Sequence, residues 1–201
     1  MNDIAHLLGT ALSRPGGASS DFDLNPGTVL PEGRKLREAG VLIAVTTYGG
    51  RPEVLLTKRS SALKHHPGQI AFPGGKREEG DADVAAAALR EASEEIGLPE
   101  DHSVILGQMP THETVTGFMV TPVVAMVERP FQIIPQQSEV EEVFSVPLSH
   151  LLDTSNYSIQ SRRWRGTRRH YFTVPWGPYY IWGATARMLR GLAERMKRHE
   201  D

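Results

Sequence analysis

The chain of 201 residues has no cysteine. Disulfide frameworks, thiolate zinc centres and cysteine nucleophiles are therefore excluded, and any metal must sit on oxygen or imidazole. Long apolar runs are missing too: none approaches the roughly 18 residues that a membrane helix needs. The opening MNDIAHLLGTALSRPGG carries Asp3 and His6 and has no basic stretch ahead of a long apolar one, so it lacks the pattern of a secretory signal. A soluble, cytoplasmic chain that does not engage a membrane is the expectation. A dominant charge is also lacking. Lys+Arg 22 against Asp+Glu 24 gives a formal net charge of -2, which excludes a protein held to nucleic acid by its overall charge. Internal repeats and low-complexity tracts are absent.

What is present is ordinary soluble usage, 39% hydrophobic and 23% charged, enough for one globular domain with terminal additions. Residues 1–15 read as a short amphipathic helix with Ile4, Leu7, Leu8 and Leu12 near one face, closed by Pro15-Gly16-Gly17. A polar stretch follows, so residues 1–36 are expected to form an extension (helix plus loop) and residues 37–201 the main domain. Val41–Tyr48 and Val54–Thr57 read as paired strands around Gly49-Gly50-Arg51-Pro52. Val104–Met109 and Gly117–Val127 read as further strands, the second central, with Pro122 expected at a bulge or strand end. Tyr157–Val174 reads as a hairpin turning at Gly166. Ile181–Met196 reads as an amphipathic helix with Ile181, Thr185, Met188, Leu189 and Leu192 inward. Together these elements predict a mixed α/β sandwich.

The informative segment runs from Gly74 to Leu98. Asp83–Ile96 is alanine-rich, opens on an aspartate and closes at Gly97 with Pro99 beyond, which predicts a helix. Taking Glu91 as the origin at about 100° per residue, Glu94 falls at roughly 300° and Glu95 at roughly 40°, so three carboxylates share one face. Leu89, Ala85, Ala92 and Ile96 form the opposite, buried seam. Three anions within little more than one turn repel each other. A hard divalent cation removes that conflict, because Mg²⁺ takes carboxylate oxygens and leaves positions for water and phosphate. The plainer reading is a solvated glutamate patch in which Arg90 pairs with Glu94.

Pro73-Gly74-Gly75 stands just upstream, where backbone can approach a ligand closely. Together the segment resembles the Nudix box of the Nudix hydrolases: Gly, five residues, Glu, seven residues, then Arg-Glu-apolar-x-Glu-Glu-x-Gly-apolar. The matching residues are Gly75, Arg90, Glu91, Ala92, Glu94, Glu95, Gly97 and Leu98. Asp81 stands where the pattern has Glu, and eight residues rather than seven separate it from Arg90. The resemblance implies a Nudix-type α/β/α sandwich whose mixed sheet carries the acidic helix. It further implies cleavage of a nucleoside diphosphate linked to another moiety, with Mg²⁺ or Mn²⁺ as cofactor. Carried over, Glu91 and Glu95 bind the metal with the Gly75 carbonyl as a further ligand. Glu94 orients Arg90 or joins a second metal. Glu139 is the best positional match for a later acidic loop residue that completes the site or activates water, with Glu141 and Glu142 as rivals.

Upstream, Leu55–Gly75 is similar to the motif of the coenzyme A diphosphatase group: Leu-Leu-Thr-x-Arg-Ser/Ala, three residues, Arg, three residues, Gly, three residues, Phe-Pro-Gly-Gly. Leu55, Leu56, Thr57, Arg59, Ser60, Gly68, Phe72, Pro73, Gly74 and Gly75 match; Lys64 stands where the pattern has Arg, which keeps charge but loses bidentate phosphate recognition. The resemblance implies that CoA is cleaved to 3′,5′-ADP and 4′-phosphopantetheine, with Arg59, Lys64 and Gly74 at the substrate. The alternatives are a Nudix hydrolase of NADH, ADP-ribose or a dinucleoside polyphosphate, or a nucleotide sensor of the same fold that does not hydrolyse.

Three weaker signals remain. Arg162, Arg163, Arg165, Arg168 and Arg169 are interleaved with Trp164 and followed by His170 and Tyr171. They read as a solvent-facing hairpin, a grip on a substrate phosphate, or a surface for nucleotide bases; the overall charge disfavours a dedicated nucleic-acid protein. His65-His66 and His112-Glu113 have no spacing that defines a zinc site. Trp176, Tyr179, Tyr180 and Trp182 read as packing at a helix entry.

Overall fold

The structure, a computed structural model, describes residues 3–28, 30, 32–164 and 166–197. The chain runs α1 (Asp3–Leu12), β1 (Ser19–Ser20), β2 (Arg37–Thr46), β3 (Glu53–Arg59), β4 (Ile70–Ala71), β5 (Gly74–Lys76), α2 (Val84–Ile96), β6 (Ser103–Gln108), β7 (His112–Glu113), β8 (Phe118–Val127), β9 (Val140–Pro147), α3 (Leu148–Leu152), β10 (Ser158–Trp164), β11 (Thr167–Thr173) and α4 (Gly183–Lys197). Single turns of 3₁₀ helix at Glu100–His102 and Thr154–Asn156 join α2 to β6 and α3 to β10.

Nine strands form one mixed sheet whose centre is the parallel pair β2 and β8, in register from Arg37 opposite Phe118 to Val45 opposite Met126. β3 and β5 pair antiparallel with opposite ends of β2, and β9 pairs with β3. β2 is apolar without a break because both of its faces are covered. Leu42 and Ala44 point to one core with Leu55, Val123 and Ala125, under Ala85, Ala88, Ala92 and Ile96 of α2. Ile43 and Val45 point to the other, with Leu56 and Val124, under Leu8 and Leu12 of α1, Leu148 and Leu151 of α3, and Leu189 and Leu192 of α4. The result is the α/β/α sandwich expected from the sequence.

Two readings change. The segment from Val140 on is a strand and not a loop: β9 takes Glu141 and Glu142 into its pairing with β3, leaving Glu139 at the turn before it. Pro122 lies inside β8, neither at its end nor at a bulge. Its carbonyl accepts from the Met109 N–H at 2.9 Å, so the missing N–H falls where the partner changes from β6 to β7 and no ladder bond is lost. The described residues of 1–36 lie packed on the body of the molecule. Leu8 and Ala11 are fully buried, and β1 pairs with β7. Among the described residues, no helix is long and apolar enough to cross a membrane.

Candidate active site

α2 begins where Asp83 accepts hydrogen bonds from the N–H groups of Ala85 and Ala86 at 2.9 and 2.8 Å, and it ends at Gly97 with φ 73°. Its approach to the sheet is set by missing side chains. A Cβ on Gly40 of β2 would overlap the Val84 carbonyl, and one on Gly75 of β5 would overlap the Glu91 carboxylate. Gly74 (φ 152°) would place a Cβ 2.6 Å from the Val41 Cα. The glycine pair thus lays bare backbone directly against the acidic side of the helix.

The three glutamates that the helical periodicity puts on one face part company here. Glu95 is 4% exposed and accepts a hydrogen bond from the Gly74 N–H at 3.1 Å. Burial pushes its carboxyl up to about 7; the Glu91 and Glu139 charges act in the same direction, and the Gly74 N–H and Arg59 oppose them. Glu91, half-buried against Gly75, is also raised, first by burial and then by Glu94 and Glu139, with Arg90 opposing. Glu94 is exposed and turned along the helix, 3.3 Å from the Arg90 Nη1. Among the described residues, no three His, Asp or Glu side chains gather closely enough to hold a metal by themselves. The donors that fit a hard cation are therefore the carboxylates of Glu91 and Glu95 with backbone oxygen at Gly75 beside them. All are oxygen, and the charge of the buried one is poorly compensated.

Arg90 is the hub of the site. Its Nε and Nη2 lie 2.9 and 3.1 Å from the two oxygens of Asp81, its Nη2 donates to the Lys76 carbonyl at 3.2 Å, and its Nη1 is 3.2 Å from Glu91. Asp81 is itself fixed by the Glu78 N–H at 2.7 Å and held below the usual carboxylate range, chiefly by Arg90. The resemblance to the Nudix box had Glu94 orient Arg90 or join a second metal, and Asp81 departs from the pattern in side-chain length and in spacing. The extra residue lets the 77–83 turn fold back so that the shorter acid still grips the guanidinium with both oxygens.

The second acidic segment divides cleanly. Glu141 pairs with Lys58 at 2.7 Å and accepts from the Ser61 N–H, while Glu142 accepts from the Tyr179 hydroxyl at 2.5 Å. Glu139 is half-buried, its carbonyl bonded to the Ser60 N–H at 2.8 Å, and its charge is felt by both Glu91 and Glu95. Arg59, at the end of β3, acts electrostatically on Glu95, and its buried Nε has no hydrogen-bond partner. Lys64 is exposed on the turn between β3 and β4, away from any ion pair among the described residues. Arg59, Gly74, Gly75, Arg90, Glu91, Glu95 and Glu139 are thus drawn to one place, with Glu94 at its rim; Lys64 has no contact with the group.

Elsewhere, His112 is buried, with Nδ1 2.9 Å from the Ser19 hydroxyl and Nε2 3.1 Å from Asp21, a structural tie for β1 rather than a zinc ligand. Tyr179 stacks on Phe144 at 3.5 Å and Trp182 meets Tyr171 edge-on, which is the packing expected ahead of the last helix.

The NUDIX domain family matches residues 36–165. Two bacterial proteins named "Uncharacterized Nudix hydrolase NudL" are similar to this chain. That of Citrobacter koseri is 40% identical over 174 residues, covering 87% of this chain and 90% of its own; that of Enterobacter sp. strain 638 is 41% identical over 157 residues, covering 78% and 81%. Among solved structures, the MutT protein of Methanosarcina mazei Go1 aligns with a TM-score of 0.52 at 21% identity, covering 85% of this chain and 99% of its own. The NUDIX domain of Shewanella oneidensis NrtR, solved with ADP ribose, gives a TM-score of 0.52 at 16% identity, covering 85% and 96%. At these identities the two structures bear on the fold alone.

Proposed function

Since the chain belongs to the NUDIX family, we propose that it is a metal-dependent diphosphate hydrolase whose substrate is coenzyme A or a CoA derivative, split into 3′,5′-ADP and 4′-phosphopantetheine. The observation that carries the substrate class is the course of Leu55–Gly75. The stretch that resembles the CoA diphosphatase motif is also the stretch that borders the carboxylates, with Arg59 beside Glu95 and the Gly74–Gly75 backbone against Glu95 and Glu91. A buried guanidinium nitrogen without a partner, next to bare backbone, suits an incoming phosphate oxygen.

In this reading Glu91, Glu95 and the Gly75 carbonyl hold Mg²⁺ or Mn²⁺. The bound ion supplies charge neutralisation at the diphosphate and a lowered pKa for an attacking water. Arg90, locked by Asp81, keeps Glu91 in place and limits the repulsion between Glu91 and Glu94. Glu139, near enough for its charge to act on both, serves as the base that takes the proton of water. Arg59 stabilises the charge of the diphosphate, and Lys64 reaches the substrate from its turn. The sheet supports the site from below, so the geometry rests on strand ends and one helix rather than on a free loop.

The test is a product assay with Mg²⁺ and then Mn²⁺, offering CoA, NADH, ADP-ribose and a dinucleoside polyphosphate in parallel. Release of 3′,5′-ADP from CoA well above the other rates is the expected result. A faster reaction on another substrate leaves the metal helix in its role and reduces Leu55–Gly75 to scaffold. Silence on all four returns the chain to the reading of a nucleotide sensor.

A further inference from the structure

From Thr154 to Ala193 the chain has no aspartate or glutamate, and its arginines collect on the hairpin β10–β11. This hairpin is a separate two-stranded sheet, and every residue of β10 is exposed. Its register sets Arg162 opposite Arg169 and Arg163 opposite Arg168. Like charges placed directly opposite each other weaken a strand pair. None of the four forms an ion pair among the described residues; Arg165, the fifth of the run, lies outside them. A fold that only needed soluble strands would interleave the two signs.

Alternation along the strands sorts these residues. Phe172 lies under the Arg190 guanidinium of α4 at 4.6 Å, and Arg163 and Arg168 share its side of the ribbon, where both are exposed. Trp164, the Arg162–Arg169 pair and Tyr171 fall in successive rows on the outer side, about 7 Å apart. Arg169 lies over the Trp164 ring at 4.8 Å, and the Tyr171 hydroxyl is 3.5 Å from that of Tyr180. Trp164 and Tyr180 are 47% and 46% exposed. The platform is also pinned in place, because the Asn25 side chain bonds both the N–H and the C=O of His170, at 2.8 and 2.9 Å.

We infer that this outer face binds single-stranded nucleic acid, with phosphates on Arg162 and Arg169 and bases stacked on Trp164 and Tyr180. Charge alone would suit any polyanion. Partly exposed rings on either side of a cation pair suit a strand whose bases are unpaired, since every base has a face that can stack. The overall charge of -2 does not oppose this, because the attraction is local and acts within a Debye length. The inference is independent of the hydrolase reading.

The experiment is fluorescence anisotropy of a fluorescein-labelled oligouridylate titrated with the full chain at about 50 and about 200 mM NaCl. Wild type is expected to bind at low salt and to weaken as salt rises. Arg162→Glu/Arg169→Glu is expected to weaken binding at least tenfold and to flatten the salt slope by about 1.4, two contacts at about 0.7 each. Trp164→Ala is expected to weaken it about tenfold. Arg163→Glu/Arg168→Glu, on the side that carries neither Trp164 nor Tyr171, is expected to cost less than the outer pair. Thermal melts and diphosphate hydrolysis are expected to stay at wild-type values in all three variants. No binding at low salt overturns the inference. So does equal loss from both faces, or indifference to Trp164→Ala together with equally tight binding to phosphatidylserine vesicles, which would mark a surface that reads charge only. Loss of hydrolysis in the outer-face variant also overturns it, by assigning the arginines to the substrate site.

Discussion

Glu95 is a carboxylate placed where water barely reaches, and its protonation sets how the site responds to pH. Its carboxyl is raised from the ordinary 4.5 to about 7, so the folded chain binds the proton more tightly than the unfolded chain does. The stability this provides is complete below 4.5 and is lost as pH rises through about 7, a swing of up to about 3 kcal/mol. Glu95→Gln is therefore expected to melt higher than wild type at pH 8 without divalent ions, while losing turnover by about a thousandfold in their presence. Melting curves and steady-state rates on the same preparations check both, and near wild-type turnover would overturn the metal assignment. Asp81 acts differently. Its two oxygens are taken up by Arg90 and the Glu78 N–H, so it works through Arg90. Asp81→Asn is expected to lower kcat roughly 10- to 100-fold with little change in KM, the scale seen when the partner of a metal ligand is removed. Asp81→Glu should restore part of the loss; a fall in KM alone would contradict the positioning role.

At the scale of the element, α2 depends on small residues at two levels. Ala85, Ala88 and Ala92 let it lie close to the sheet, and Gly40 leaves room for the Val84 carbonyl. Because that neighbour is backbone, it has no rotamer by which to yield. Gly40→Ala is expected to destabilise the fold by about 1–3 kcal/mol in denaturant titrations, with the helix and its carboxylates shifted away from Gly75. The same change at Gly80, on the open turn before the helix where a Cβ meets nothing within 4 Å, should cost far less and serves as the control. The missed strand β9 belongs to this scale as well. Its Glu141-Glu142 pair interrupts apolar alternation, and both carboxylates stay exposed, where Lys58 and Tyr179 meet them.

At the scale of the whole molecule, the segment after α1 ties three parts together. His112 bridges Ser19 and Asp21, Asp23 meets Arg187 of α4 at 2.9 Å, and Asn25 holds the hairpin through His170. His112→Ala leaves two polar partners and a cavity behind, and a loss of about 2–4 kcal/mol is expected, with early proteolytic cleavage in residues 13–28. Unchanged protease resistance would show that the tie is dispensable. Divalent ions couple the site to global stability by mass action. Mg²⁺ is expected to raise the melting temperature more at pH 8 than at pH 5, where Glu95 is already protonated; an equal rise at both would place the binding elsewhere.

The sequence by itself determined the elements whose signals are local. Asp83, the alanine seam and Gly97 bound α2 to within one residue of its reading, Gly166 turned the hairpin where expected, and the five residues assigned inward at the last helix are all buried. The chain's resemblance to the Nudix box at Arg90, Glu91, Glu94 and Glu95 also pointed to the family, while helical periodicity put the three glutamates on a shared face. Only the tertiary structure decided how that face is divided. Glu95 goes inward because Gly74 and Gly75 come to it from a strand about twenty residues earlier, and Glu94 stays out because Arg90 is already gripped by Asp81. The pairing of Glu141 with Lys58 and of Glu142 with Tyr179, and the like-charge pairs of β10–β11, depend on partners brought by the tertiary fold. Pairing across a sheet joins residues far apart in the chain, and no local pattern in either strand specifies which residue it will face.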